Sequence, residues 1–223
     1  MHLGERILNF YRQLQPPSMP RGIQLLYPQQ DPDVMCIVEQ FFRKFYNDAA
    51  PRRLIFGINP GRFGAGVTGV NFTAARQLTD HCGIEHSLKL QSELSAEFIY
   101  EMVAGFGGPG KFYQHYFITS VCPLGFTKDG VNLNYYDDLQ LKERVTPFII
   151  SSIEYQLSLG FLTDRCFCIG EDKNLKFLAS INREHRFFDM ITPLPHPRFI
   201  MQYRRRQKQA YIDQYLSALA LAN

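Results

Sequence analysis

The chain has no run of uncharged residues reaching the roughly 18 that a membrane-crossing helix needs. Its opening, Met-His-Leu-Gly-Glu-Arg-Ile-Leu, carries charge where an export signal needs an apolar core. Both absences lead to the expectation of a soluble, cytoplasmic protein. Cysteine is scarce, odd in number and scattered, at Cys36, Cys82, Cys122, Cys166 and Cys168. Set mostly in apolar runs, these residues read as reduced, buried thiols and imply no disulfide framework. Tryptophan is absent, yet 19 Phe and 12 Tyr make the chain aromatic-rich. A strong charge excess is also missing. The 24 Lys and Arg against 21 Asp and Glu leave a net charge of +3, which permits a polyanionic partner if the basic residues gather on one face. Finally, no repeat, low-complexity segment or linker divides the 223 residues. They read as one domain, with residues 1–50 as its helical N-terminal part.

Periodicity gives the elements. Apolar positions recur at helical spacing over 3–14 and 33–48, the second stretch opened by the capping sequence Asp31-Pro32-Asp33. Strands are predicted over 52–58, over 115–121 before Pro123 and Gly125, over 166–169 before Gly170, and over 187–191 before Pro193. Helices are predicted at about 92–104, 137–159, 172–182 and 201–220. Strands alternating with helices pair in parallel through right-handed crossovers. The fold class is therefore α/β: a three-layer α/β/α arrangement around a four-stranded parallel sheet.

Three strand ends carry unusual chemistry. After Leu54-Ile55-Phe56, residues 57–72 form a glycine-dense loop with Asn59 at its apex, and glycines there allow sharp turns and close backbone approach to a ligand. The second strand ends in Ser120-Val121-Cys122-Pro123, the last in Pro195-His196-Pro197-Arg198. Ligands of an open parallel sheet bind outside the carboxyl ends of its strands, so the three segments should converge. Arg198, Arg204, Arg205, Arg206 and Lys208 form the densest basic cluster, interleaved with Phe199, Met201 and Tyr203. Apolar and aromatic groups among cations suit stacking or wedging against bases. Gly105 to Phe112 nearly matches a phosphate-binding loop, but Phe112 stands where Ser or Thr would hold magnesium, and it reads as a plain loop before a strand. His81, Cys82, Glu85 and His86 fit no standard zinc spacing and read as a polar surface segment.

The loop Gly57-Ile58-Asn59-Pro60-Gly61-Arg62-Phe63-Gly64, continued by Thr68-Gly69-Val70-Asn71-Phe72, resembles the first motif of the single-strand-selective monofunctional uracil-DNA glycosylases. Phe117 to Leu124 is similar to that family's base-reading strand, and His196-Pro197-Arg198 to a shortened form of its last motif. The resemblance implies removal of uracil from DNA in base excision repair, by a monomer acting on single-stranded and also double-stranded DNA, with no metal and no cofactor. It implies that Asn59 and His196 are catalytic, Asn59 placing water and His196 stabilising charge on the departing base. Gly57, Ile58, Gly61, Phe63, Phe72 and Ser120 would bind the base, with Phe72 stacking on it. Arg62, Arg198, Phe199, Arg204, Arg205 and Lys208 would bind DNA.

Two departures from the family pattern bear on substrate. Ser120 stands where the family places a base-reading Asn, which brings xanthine and hypoxanthine in as substrates beside uracil. The last motif lacks two wedge residues, a role left to Arg198 or Phe199; without a wedge, single strands are favoured because extrusion breaks no base pair. No amine stands in the motifs for Schiff-base lyase chemistry. A non-catalytic nucleic-acid-binding module on the same fold, and a small-molecule nucleoside hydrolase, remain as alternative readings.

Overall fold

The computed structural model describes residues 1–91 and 93–220. Along the chain run α1 (Leu3–Gln13), β1 (Ile23–Leu26), α2 (Pro32–Phe45), β2 (Arg53–Gly57), α3 (Ala65–Thr68), α4 (Ala75–Asp80), α5 (Leu94–Gly105) and α6 (Pro109–His115). Then follow β3 (Tyr116–Ser120), β4 (Gly125–Lys128), β5 (Val131–Leu133), α7 (Leu139–Ser158), β6 (Arg165–Ile169), α8 (Lys173–His185), β7 (Met190–Leu194), α9 (Pro197–Tyr203) and α10 (Lys208–Ala220). Four strands form a parallel sheet in the order β3-β2-β6-β7, flanked by helices in a three-layer α/β/α fold.

The central strands read as apolar runs because both faces are covered: every residue of β3 is buried, as are Leu54 to Gly57 of β2. The helices bury one stripe each. In α1 that stripe is Leu3, Ile7, Leu8, Phe10 and Tyr11, and in α2 it is Val34, Ile37, Val38, Phe41 and Phe42. Asp31 caps α2 by accepting from the Asp33 amide at 2.9 Å, with Pro32 opening the first turn. From β2 the chain moves to β3 on one side and later to β6 and β7 on the other. The order reverses at β2, and the crevice above its carboxyl end is where such folds bind ligands.

Several expectations need correction. The N-terminal part is not purely helical, since β1 pairs antiparallel with β4, and β4 with β5, in a second, three-stranded sheet. Gly125 does more there than stop a strand: a Cβ at this position would stand 2.3 Å from the Pro60 carbonyl oxygen, so only glycine lets β4 pass so close to the Asn59 loop. The last strand is Met190–Leu194, not 187–191. Phe187 and Phe188 are apolar because they are buried, and the Asn182 side chain brackets the Phe188 backbone at 2.9 and 3.0 Å in place of a strand ladder. Pro193 lies inside β7, which an edge strand tolerates. Pro109 opens helix α6, so the Gly105 to Phe112 stretch is half helical rather than a plain loop. The expected 201–220 helix begins earlier, at Pro197, and is broken by a 3₁₀ turn at Arg205–Gln207. In the 81–86 segment Cys82 is buried against the Tyr100 hydroxyl instead of lying at the surface. All five cysteines are free thiols; four are buried and Cys36 is exposed.

Candidate active site

Gly57 and Ser120 sit side by side at the ends of β2 and β3. Pairing continues past the strands, with the Val121 amide donating to Gly57 O at 2.9 Å and the Cys122 amide to Ile58 O at 3.1 Å. The Asn59 loop therefore leaves the sheet from a rigid base. Asn59 is half-buried and turns its amide toward β5. Its Nδ2 donates to Leu133 O at 3.3 Å and Pro60 O at 3.4 Å, and its Oδ1 accepts from the Tyr135 amide at 3.1 Å. The Tyr135 hydroxyl donates to Asn174 Oδ1 at 2.9 Å, and Asn174 Nδ2 donates to Gly57 O at 3.3 Å and Ile169 O at 3.0 Å. The network closes on itself, joining the ends of β2 and β6 to the segment after β5.

His196 arrives from β7. Gly170, just past the end of β6, has a φ of 105°, a conformation that favours glycine, and turns the chain beneath the His196 ring. His196 is the N-cap of α9, and its Nδ1 accepts from the Arg198 amide at 3.1 Å. With Nδ1 an acceptor, the neutral ring carries its proton on Nε2. Burial pushes its pKa down to about 4, the Arg198 guanidinium adding to the effect, so the imidazole is neutral at physiological pH. The Phe72 ring lies 6.2 Å from the His196 ring, tilted by 49°. Phe72 has a φ of 51°, in the left-handed region that a bulky residue seldom enters. Gly57 accommodates this, since a Cβ at 57 would sit 2.6 Å from Phe72 Cε2.

Between these groups lies a cavity of about 360 Å³. Of the residues expected from the sequence, Ile58, Asn59, Gly61, Phe63, Phe72, Ser120, His196 and Arg198 line it, while Gly57 lies beneath Phe72. Sequence reasoning missed Asn71, Glu93, Asn132 and Asn134, which also line it. Asn71 was within the quoted motif but had no role assigned. Asn132 and Asn134 come from the hairpin of β4 and β5, whose turn residues Asp129 and Gly130 have φ of 51° and 72°. Asp-Gly between two short strands is the signal that marks such a hairpin. Glu93 caps α5 through Oε2, which accepts from the Ala96 amide at 2.7 Å.

The expected DNA-contacting residues fall into three groups. The exposed Arg62 lays its guanidinium 4.3 Å from the centre of the Phe63 ring and donates to the Gly130 carbonyl. Arg204 covers Phe199 at 5.5 Å, and Phe199 contacts Tyr203 at 5.8 Å. Lys208 is held by Glu101 at 2.5 Å, whereas Arg198, Arg205 and Arg206 are exposed and make no ion pair among the described residues.

A flat ring would fit between Phe72 and the amide-rich wall, meeting a neutral imidazole donor on one side and basic, aromatic surface outside. Fold and site together define an α/β protein with a polar, aromatic-walled cavity at the carboxyl ends of its parallel strands. The model of the uracil DNA glycosylase superfamily matches residues 43–220, and the chain belongs to that superfamily. Among solved structures it is similar to the wild-type SMUG2 of Pedobacter heparinus, with 45% identity and a TM-score of 0.96, over 100% of this chain and 99% of that one. No curated protein matches the sequence.

Proposed function

We propose that the protein is a monofunctional DNA glycosylase that hydrolyses the N-glycosidic bond of uracil or another deaminated base, xanthine and hypoxanthine included, acting as a monomer and without metal or cofactor. The observation that carries this reading is His196, neutral and fixed with its proton on Nε2 beside Phe72. As the bond between sugar and base breaks, electron density moves onto the base, leaving an oxocarbenium-like sugar. A neutral Nε2–H donor stabilises the developing charge on a base oxygen, in the way an oxyanion-hole donor does. Water then adds to the sugar carbon and loses its proton to solvent. Asn59 supports this step by position, since its amide is a poor proton acceptor and is anchored by Leu133 and Tyr135. The second lone pair of its Oδ1 is left to hold the water.

The base must leave the helix to enter so enclosed a site. Phe199 and Tyr203 are 44% and 67% exposed beside the entrance, and the unpaired arginines follow them, which fits a nucleic-acid strand rather than a free nucleoside. Where neither Arg198 nor Phe199 serves as a wedge, the short last motif favours single strands. The test is base release from matched single- and double-stranded oligonucleotides carrying uracil, hypoxanthine or xanthine, with wild type, Asn59→Ala and His196→Ala. Release that is lost in His196→Ala, with folding intact, supports the reading. Salt-sensitive DNA binding without release would select a binding module, and release from free nucleosides a nucleoside hydrolase.

A further inference from the structure

Asn71 lines the cavity, is buried, and has its amide gripped at both ends. The Tyr11 phenol oxygen accepts from Asn71 Nδ2 at 3.4 Å. Asn71 Oδ1 consequently faces Ser120, whose hydroxyl donates to it at 2.7 Å. Tyr11, Ser120 and Asn71 are all buried, and an unpaired buried polar atom is costly, so the two bonds hold the amide in place.

Two consequences follow for a bound base. Ser120 has committed its proton to Asn71 and offers a base only lone pairs. Asn71 retains one N–H and one lone pair, a donor and an acceptor in fixed order. Uracil, hypoxanthine and xanthine share an edge with a carbonyl beside a ring N–H. Cytosine and adenine reverse that edge, with an amino group beside a bare ring nitrogen. An amide free to turn over would accept both kinds; one held in a single orientation separates them.

We propose that Asn71 reads the hydrogen-bonding edge of the extruded base, and that Tyr11 and Ser120 are positioning residues that fix which way its amide faces. This rests on the glycosylase reading above and gives α1, from the N-terminal part, a place in base selection.

The test uses single-stranded oligonucleotides carrying uracil or N3-methyluracil, in which the ring N–H is blocked. Wild type should favour uracil by at least about tenfold, the discrimination a good side-chain contact to a base edge supplies. In Asn71→Ala that ratio should collapse to near unity, with uracil release itself reduced. Equal losses on both bases, or unchanged uracil release, would overturn the assignment. Tyr11→Phe keeps the buried ring and should lower the preference for uracil over cytosine, read as binding of 2′-fluoro oligonucleotides that resist cleavage. An unchanged preference would remove Tyr11 from the positioning role. Should Asn71→Ala fail to fold, Asn71→Ser in the same pair of assays replaces it. If wild type releases no base at all, the glycosylase reading fails separately, and the binding ratio for 2′-fluoro uracil and its N3-methyl form still decides the role of Asn71.

Discussion

Asn59→Ala should cost stability as well as activity, because the amide is a structural tie as well as the group proposed to place the water. It holds Leu133 O at 3.3 Å and accepts from the Tyr135 amide at 3.1 Å, linking the loop after β2 to the segment after β5. Truncation leaves both backbone groups without that partner. A lost partner of a buried group costs about 1 to 3 kcal/mol, and the half-buried setting and long Leu133 bond place each at the low end, for a total of about 2 kcal/mol. In a chain of this size each kcal/mol lowers Tm by about 2–4 °C, so a fall of about 4–8 °C is expected. Thermal melts and urea titration, run beside single-turnover base release, measure both effects. Asn59→Asp sharpens the test. Its carboxylate would face the Leu133 and Pro60 carbonyl oxygens, raising its pKa, so that variant should be more stable at pH 5, where the protonated Asp donates to Leu133 O, than at pH 7. A Tm within about 1 °C of wild type for Asn59→Ala, with activity gone, would refute the tie.

With the His196 pKa pushed down to about 4, base release should stay independent of imidazole protonation down to about pH 5; a rate that falls as pH rises through 6.5 would show a charged imidazole at work instead. Because the folded pKa lies below the unfolded value, the neutral ring's contribution to stability is complete above about pH 6.5 and is lost as pH falls toward 4, so Tm should drop over that window more in wild type than in His196→Asn. Gly57→Ala places a methyl 2.6 Å from Phe72 Cε2, and should destabilise the protein by about 1–3 kcal/mol and raise KM for the damaged oligonucleotide, as seen by melting and steady-state kinetics. Removing Arg205 and Arg206 together should flatten the salt dependence of single-strand binding by a slope of about 1.4, while Lys208→Ala, already held by Glu101, should change it little.

The parallel sheet was legible because β2, β3 and β6 are buried on both faces and read as short apolar runs between breakers. The ends of those strands were legible for the same reason, and so Asn59 and His196 could be placed at one edge. What escaped was non-local. Strand β1 has four residues and makes sense only against β4, so local pattern reads the N-terminal part as helical. Phe187 and Phe188 looked like a strand because burial, not pairing, sets their composition. Asn71 escaped because a polar residue inside a glycine-rich motif does not reveal whether it faces a cavity. Its meaning lies in a tyrosine 60 positions earlier and a serine 49 later.

Pro193 has a consequence for how the molecule meets copies of itself. The Leu194 carbonyl points inward to the Gly170 amide, so in the alternating pattern of a strand the nitrogen of Pro193 faces the outer side of β7. An outer strand normally offers a row of donors on which another chain can build. Here the row is interrupted by a residue with no hydrogen to give. The sheet is thereby hindered from growing at that side, which protects it there from strand-by-strand aggregation, a protection that Pro193→Val would remove.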